Sequence, residues 1–198
     1  MIICAKTIIT GDGEIVLKDA AVMVDGSGKI QKVGAKDEVV QAYPQEEVTD
    51  YGEATIFPGM FDMHCHLGYW YSQPDSFNYN DQMIMMYALQ HAQAAFTKGI
   101  TSVRDCYSPE GVCKTLKLAE EKGFVTIPRI THVNAGMCMT GGHCWDEVIE
   151  VDGPWAIRKE IRRQVRDGAE WVKILTSHRS HIPEYTQEEL DAAVDECH

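Results

Sequence analysis

Two histidines one residue apart, in His64-Cys65-His66, are the sharpest chemical signal in the chain. Side chains alternate along an extended strand, so both imidazoles project from one face and Cys65 from the other. Neighbouring imidazoles on one strand can chelate a single Zn²⁺. Two strand-end histidines without a metal are the plainer alternative. Lys173 is the second signal, because the strand that holds it, Trp171-Val172-Lys173-Ile174-Leu175, is otherwise apolar. A buried ammonium must be neutralised, paired or modified. A lysine at a strand end can instead snorkel to water. His143 closes a Gly-rich loop, Met139-Thr140-Gly141-Gly142-His143. Cys138 and Cys144 flank it, but their spacing matches no usual structural zinc pattern and they read as thiols. Arg104-Asp105 reads as a structural ion pair, and His178 and His181 as residues of a solvated loop. Tyr69, Trp70 and Tyr71 follow the histidine pair and either wall a pocket or pack. His91 and His132 receive no functional reading.

The elements that must hold these residues fall into two patterns. Over 1–57, short β-branched runs (Ile2–Ile9, Ala20–Val24, Ile30–Val33) are separated by Gly11-Asp12-Gly13 and Asp25-Gly26-Ser27-Gly28. These are turn sequences, and the segment reads as a β-meander, part of a small sandwich, with a helical turn at Val39–Tyr43. From residue 58 strands and helices alternate. Strands are expected at Ile56–Met63, Ile100–Cys106, Ile127–Val133 and Trp171–Thr176. Helices are expected at Asp81–Lys98, Pro109–Lys122, Pro154–Asp167 and Thr186–Cys197. Gly99, Gly123 and Gly168 stop three of the helices, Pro154 opens one, and Thr186 with Glu189 makes a capping box for another. Such alternation means a parallel sheet with covering helices, which a doubly wound sheet and a TIM barrel both satisfy. In a barrel, the histidine pair falls at the C-terminal end of a strand, where active sites of that fold sit.

Composition excludes several function classes. Lys plus Arg is 18 and Asp plus Glu is 30 over 198 residues, a net charge of −12. That balance argues against a nucleic-acid surface. The 44% hydrophobic content suits a folded core. No apolar run approaches the ~20 residues of a membrane helix. The start, Met1-Ile2-Ile3-Cys4-Ala5-Lys6, reads as a first strand with no basic leader. The seven cysteines are odd in number, scattered, and form no C-x-x-C, which suits a reducing compartment, the cytoplasm. No G-x-G-x-x-G follows any strand, which speaks against a doubly wound dinucleotide binder.

The run Thr55-Ile56-Phe57-Pro58-Gly59-Met60-Phe61-Asp62-Met63-His64-Cys65-His66-Leu67 resembles the first barrel strand of the metal-dependent amidohydrolase superfamily. Gly99-Ile100-Thr101-Ser102-Val103-Arg104-Asp105 is similar to the second strand of its prolidase-like and imidazolonepropionase-related branch. Met139-Thr140-Gly141-Gly142-His143 and Val151-Asp152-Gly153-Pro154 resemble the loop after that branch's third strand. The resemblance implies the first half of a (β/α)8 TIM barrel over 58–198, preceded by a β-sandwich portion over 1–57. It implies two divalent ions, Zn²⁺, with His64 and His66 as ligands. Lys173 would be carboxylated by CO₂ and bridge them. It makes His143 the catalytic residue on the substrate side, polarising the scissile carbonyl or holding the product carboxylate. The implied activity is hydrolysis of a small-molecule amide, by a dipeptidase or N-acyl amino acid hydrolase that is a homo-oligomer when complete. A cyclic-amide hydrolase of the imidazolonepropionase type is the alternative. Two further ligand histidines and a proton-shuttling Asp would lie beyond His198, so the 198-residue chain alone is expected to be a catalytically incomplete fragment.

Overall fold

The structure, a computed structural model, describes residues 1–69, 79–178 and 181–198. Trp70 and Tyr71 lie outside the described residues. The chain divides into two compact units, Met1–Gly59 and Met60–His198.

In the first unit, β1 (Ile2–Ile9), β2 (Val16–Val24) and β3 (Ile30–Ala35) form an antiparallel meander. Helix α1 (Lys36–Ala42) follows, and then β4 (Val48–Asp50) and β5 (Thr55–Ile56) pair parallel to β1. The meander expected over the whole segment therefore holds for three strands only. The parallel return is possible because α1 carries the chain back across the sheet, as parallel pairing requires a crossover. Ile2, Cys4, Ala21, Met23 and Val39 are buried together, with α1 supplying Val39. The turn between β2 and β3 is tied by Asp25. Its carboxylate accepts hydrogen bonds from the amides of Ser27 (2.8 Å) and Lys29 (3.1 Å) and from the Ser27 hydroxyl (2.7 Å). Those bonds hold its pKa down to about 2.

The second unit is built on parallel strands. β6 (Met60–Cys65), β7 (Ile100–Asp105) and β8 (Arg129–His132) form one sheet. β9 (Gly136–Cys138), β10 (Ile149–Glu150) and β11 (Lys173–Ile174) form another. The strand expected at Ile127–Val133 is thus the first part of a longer run. Its β8 portion pairs with β7 and its β9 portion with β11 and β10, so one stretch of chain serves both sheets. β11 is shorter than the apolar run around it, pairing with β9 only at Lys173 and Ile174.

Four helices cover these sheets. α2 (Asp81–Thr97) is capped by Asn80, whose side chain accepts from the Met83 amide at 3.0 Å. It buries Ile84, Ala88 and Ala92. α3 (Val112–Glu121) buries Val112, Cys113 and Leu116 against the same core as Val103 and Ile130. It starts three residues later than the expected Pro109, because Gly111 has φ +86°, a left-handed conformation that cannot lie inside a helix. α4 (Pro154–Arg166) and α5 (Gln187–Cys197) pack on the second sheet through Ile157, Ile161, Ala193 and Met137.

The capping box at the start of α5 is fully formed. Thr186 Oγ1 accepts from the Glu189 amide at 3.3 Å, and Glu189 accepts from the Thr186 amide at 2.8 Å. The same carboxylate accepts from the Gly153 amide at 2.7 Å, so it also ties down the start of α4. Thr186→Ala is expected to cost about 1 kcal/mol of stability, read from urea unfolding; an unchanged midpoint would contradict this role. The Thr186 amide is the main cause of a lowered Glu189 pKa. Its stabilising contribution is therefore full above the ordinary carboxyl range and lost as pH falls through the lowered value.

Candidate functional site

β6 departs from regular pairing where the histidines sit. Its register against β7 shifts between Asp62 and Cys65, and the His64 amide donates to Asp62 Oδ1 at 3.1 Å rather than to the ladder. Irregularities of this kind re-aim side chains at strand ends. Cys65 turns toward the α2–α3 core. The His64 and His66 rings share the opposite side, with centroids 5.3 Å apart.

Each imidazole is prepared differently. His66 Nδ1 lies 2.9 Å from the carbonyl oxygen of Tyr107, just past β7. A carbonyl only accepts, so Nδ1 carries the proton and Nε2 is left as the basic nitrogen. His64 has a pKa below its usual value. The Lys173 ammonium is the largest cause, followed by desolvation and His66. A neutral imidazole is the form that can ligate a metal.

The loop after β6 is held by Asp105, which is fully buried. Its carboxylate accepts from the Leu67 amide (2.7 Å), the Ser108 hydroxyl (2.8 Å) and the Tyr107 amide (3.1 Å). Burial pushes its pKa up against the pull of those bonds. Arg104 does not pair with it. Adjacent strand residues face opposite ways. The Arg104 guanidinium instead donates to the Met63 carbonyl at 2.8 Å and lies 4.5 Å from the Trp171 ring centre. The expected Arg104–Asp105 ion pair is therefore absent. His91, on α2, adds a second brace, its Nδ1 donating to the Leu67 carbonyl at 2.8 Å. Buried His132 is satisfied by the Val133 carbonyl at 2.9 Å.

His64, His66, His143 and Lys173 line one cleft of about 500 Å³, together with Tyr69 and Tyr107. Lys173 enters from β11, and among the described residues no carboxylate forms an ion pair with it. His143 enters from the Gly-rich loop, and its buried Nδ1 has no hydrogen-bond partner. Its ring meets that of His178, an exposed loop residue, edge-on, with centroids 6.4 Å apart. His181 is exposed. Cys138 is a buried free thiol whose pKa burial pushes up to about 11, which disfavours the thiolate a metal would need.

The Tyr107 carbonyl and Glu184 were not singled out from the sequence, and Asp105 was read only as a partner for Arg104, not as the acceptor that holds the loop after β6. Asp105 carried a usable signal, an acid closing an apolar strand. Glu184 carried none, being one acid in a polar loop.

As a donor set the cleft suits a divalent cation in part. Two imidazoles lie on one face, one with its tautomer fixed and one held toward neutrality. Lys173 could join them only as an anion, since an ammonium repels a cation. Among the described residues no group of three His, Cys, Asp or Glu side chains converges to hold a metal.

The chain belongs to the amidohydrolase family, whose sequence model matches residues 55–198. Among curated proteins it is similar to ochratoxinase of Aspergillus niger, with 25% identity over 99% of this chain and 47% of the relative. Among solved structures it is similar to a Xaa-Pro dipeptidase with methionine bound in its active site. That match has a TM-score of 0.82 and 26% identity, over 98% of this chain and 53% of the other. Molinate hydrolase shares the fold with a TM-score of 0.81 at 21% identity, over 99% and 50% of the two chains. The chain thus spans about half the length of the relatives it matches. Its mixed α/β architecture matches about half of the amidohydrolase-type structure it resembles. No helix among the described residues is long and apolar enough to cross a membrane.

Proposed function

We propose that this chain carries part of the active centre of a zinc-dependent amidohydrolase that cleaves peptide-like amides, as a dipeptidase or N-acyl amino acid hydrolase. The observation that carries the reading is the convergence of His64, His66, Lys173 and His143 on one cleft. The likeness to a Xaa-Pro dipeptidase supports a small substrate with a free carboxylate.

In this reading, the successive parallel strands β6, β7, β8–β9 and β11 belong to a (β/α)8 barrel, and the sheet of the first unit belongs to a β-sandwich. His64 and His66 would hold the cation, and Lys173 would join them as a carbamate, the product of its neutral amine and CO₂ with loss of one proton. A cation held there would supply Lewis acidity and lower the pKa of a bound water toward neutrality. His66 is kept in a single tautomer by the Tyr107 carbonyl. His143 donates a hydrogen bond to the carbonyl oxygen of the scissile amide, offsetting the charge that develops there. The ring walls of Tyr69 and Tyr107 limit the cleft to a small substrate. The enzyme is a cytoplasmic homo-oligomer, and two imidazoles with one lysine do not suffice for turnover by the 198-residue polypeptide alone.

The test uses the protein as its gene encodes it, loaded with Zn²⁺ in bicarbonate buffer and offered pools of dipeptides and N-acyl amino acids, with products read by mass spectrometry. Expected is cleavage that chelation abolishes and Zn²⁺ restores. Zinc-loaded protein that cleaves no member of either pool would overturn the proposal.

A further inference from the structure

The loop that carries His143 is tied down amide by amide. The Thr140 amide donates to Asp152 Oδ1 at 3.0 Å, the Gly141 amide to Glu150 Oε1 at 2.7 Å, and the Gly142 amide to the Met139 carbonyl at 2.8 Å. These acceptors are close in sequence. The His143 amide differs. It donates at 3.1 Å to Glu184 Oε2, which is 41 residues further on. The other oxygen of that carboxylate, Oε1, accepts from the His178 amide.

Glu184 is only 6% exposed. A carboxylate so far from water is tolerated when its oxygens are hydrogen-bonded, and here each oxygen takes a backbone amide from a different loop. The packing is built around it. A Cβ on Gly142 would come within 3.1 Å of Glu184 Oε2 and 2.9 Å of the Met139 carbonyl oxygen, so only glycine lets the carboxylate close over the loop.

We propose that Glu184 is a positioning residue that clamps the His143 loop and the His178 loop to each other. By doing so it sets the edge-on arrangement of the two imidazoles and the placement of His143 in the cleft. Its consequence for hydrolysis rests on the role proposed above for His143; the clamp itself does not.

The experiment is amide hydrogen exchange, resolved by residue, on the substrate-free protein and its Glu184→Ala and Glu184→Gln variants. Ala removes both acceptors. The His143 and His178 amides are expected to exchange together about 10-fold faster or more, the scale of losing a bond to a charged acceptor. The Thr140 and Gly141 amides, held by Asp152 and Glu150, keep their protection. Gln keeps one carbonyl oxygen and the side chain's size. It is expected to release one of the two amides and hold the other, which keeps the test open should the Ala variant fail to fold. Unchanged exchange at both histidines in the Gln variant would overturn the clamp. So would acceleration spread evenly over Thr140, Gly141 and the β9 amides, which would mean general loosening. Because exchange is read without substrate, a wild-type protein that hydrolyses no amide would defeat the functional proposal and leave this result standing.

Discussion

Lys173→Ala is expected to remove bound zinc and amide hydrolysis together. The side chain enters from β11 the cleft that His64, His66 and His143 also line. Among the described residues it has no carboxylate partner. As an ammonium it already disfavours a charged His64, and the same field would repel a cation. As a carbamate it becomes an anionic oxygen donor, the kind of ligand that divalent ions accept. Its removal therefore costs the site both a donor and a charge. Residues that merely support metal ligands are already worth about 10–100-fold in affinity. Elemental analysis of the gene-encoded protein is expected to show zinc falling well below the wild-type content, with hydrolysis lost. Short carboxylic acids added to the variant should restore part of the metal, since they return the missing oxygens to the vacated space. Mass spectrometry of the wild type in bicarbonate should show the added mass of CO₂ on the peptide that holds Lys173. A Lys173→Ala protein with full zinc and full activity would end the assignment.

His143→Ala separates the two functions. The residue lines the same cleft, but its backbone is held by the Glu184 carboxylate rather than by β6. Metal content should be unchanged. The turnover number should fall by about 10²–10³-fold, the usual cost of deleting one donor to a developing oxyanion. KM should change less, because that hydrogen bond strengthens in the transition state. Loss of zinc in this variant would instead make His143 a ligand, and an unchanged turnover number would remove it from the chemistry.

Local signals account for much of what the sequence made legible. The period-two spacing of His64 and His66 is a property of one strand, and their rings do share a side. The boundaries of α2, α4 and α5 follow from caps and stops within each segment. Lys173 stood out because a charge interrupts an apolar run. What was illegible depends on partners remote in sequence. Asp105 acts on Leu67 across 38 residues, and Glu184 on His143 across 41. Either acid, read alone, is one of 30. Nothing local announces that the chain changes sheets between His132 and Gly136, because that switch is decided by which strands lie on either side. The Arg104–Asp105 pairing failed for a simple reason: adjacency in sequence is opposition on a strand.

The tether on His66 uses the backbone of residue 107, while the side chain of that same residue faces the cleft. A carbonyl oxygen is present whatever amino acid occupies the position. Exchange of the tyrosine for another side chain would reshape the cleft wall and leave the hydrogen bond to the imidazole intact. Change of the side chain at residue 107 is thus separable from upkeep of the tether on His66, so this part of the cleft wall can vary while the imidazole stays in one tautomer.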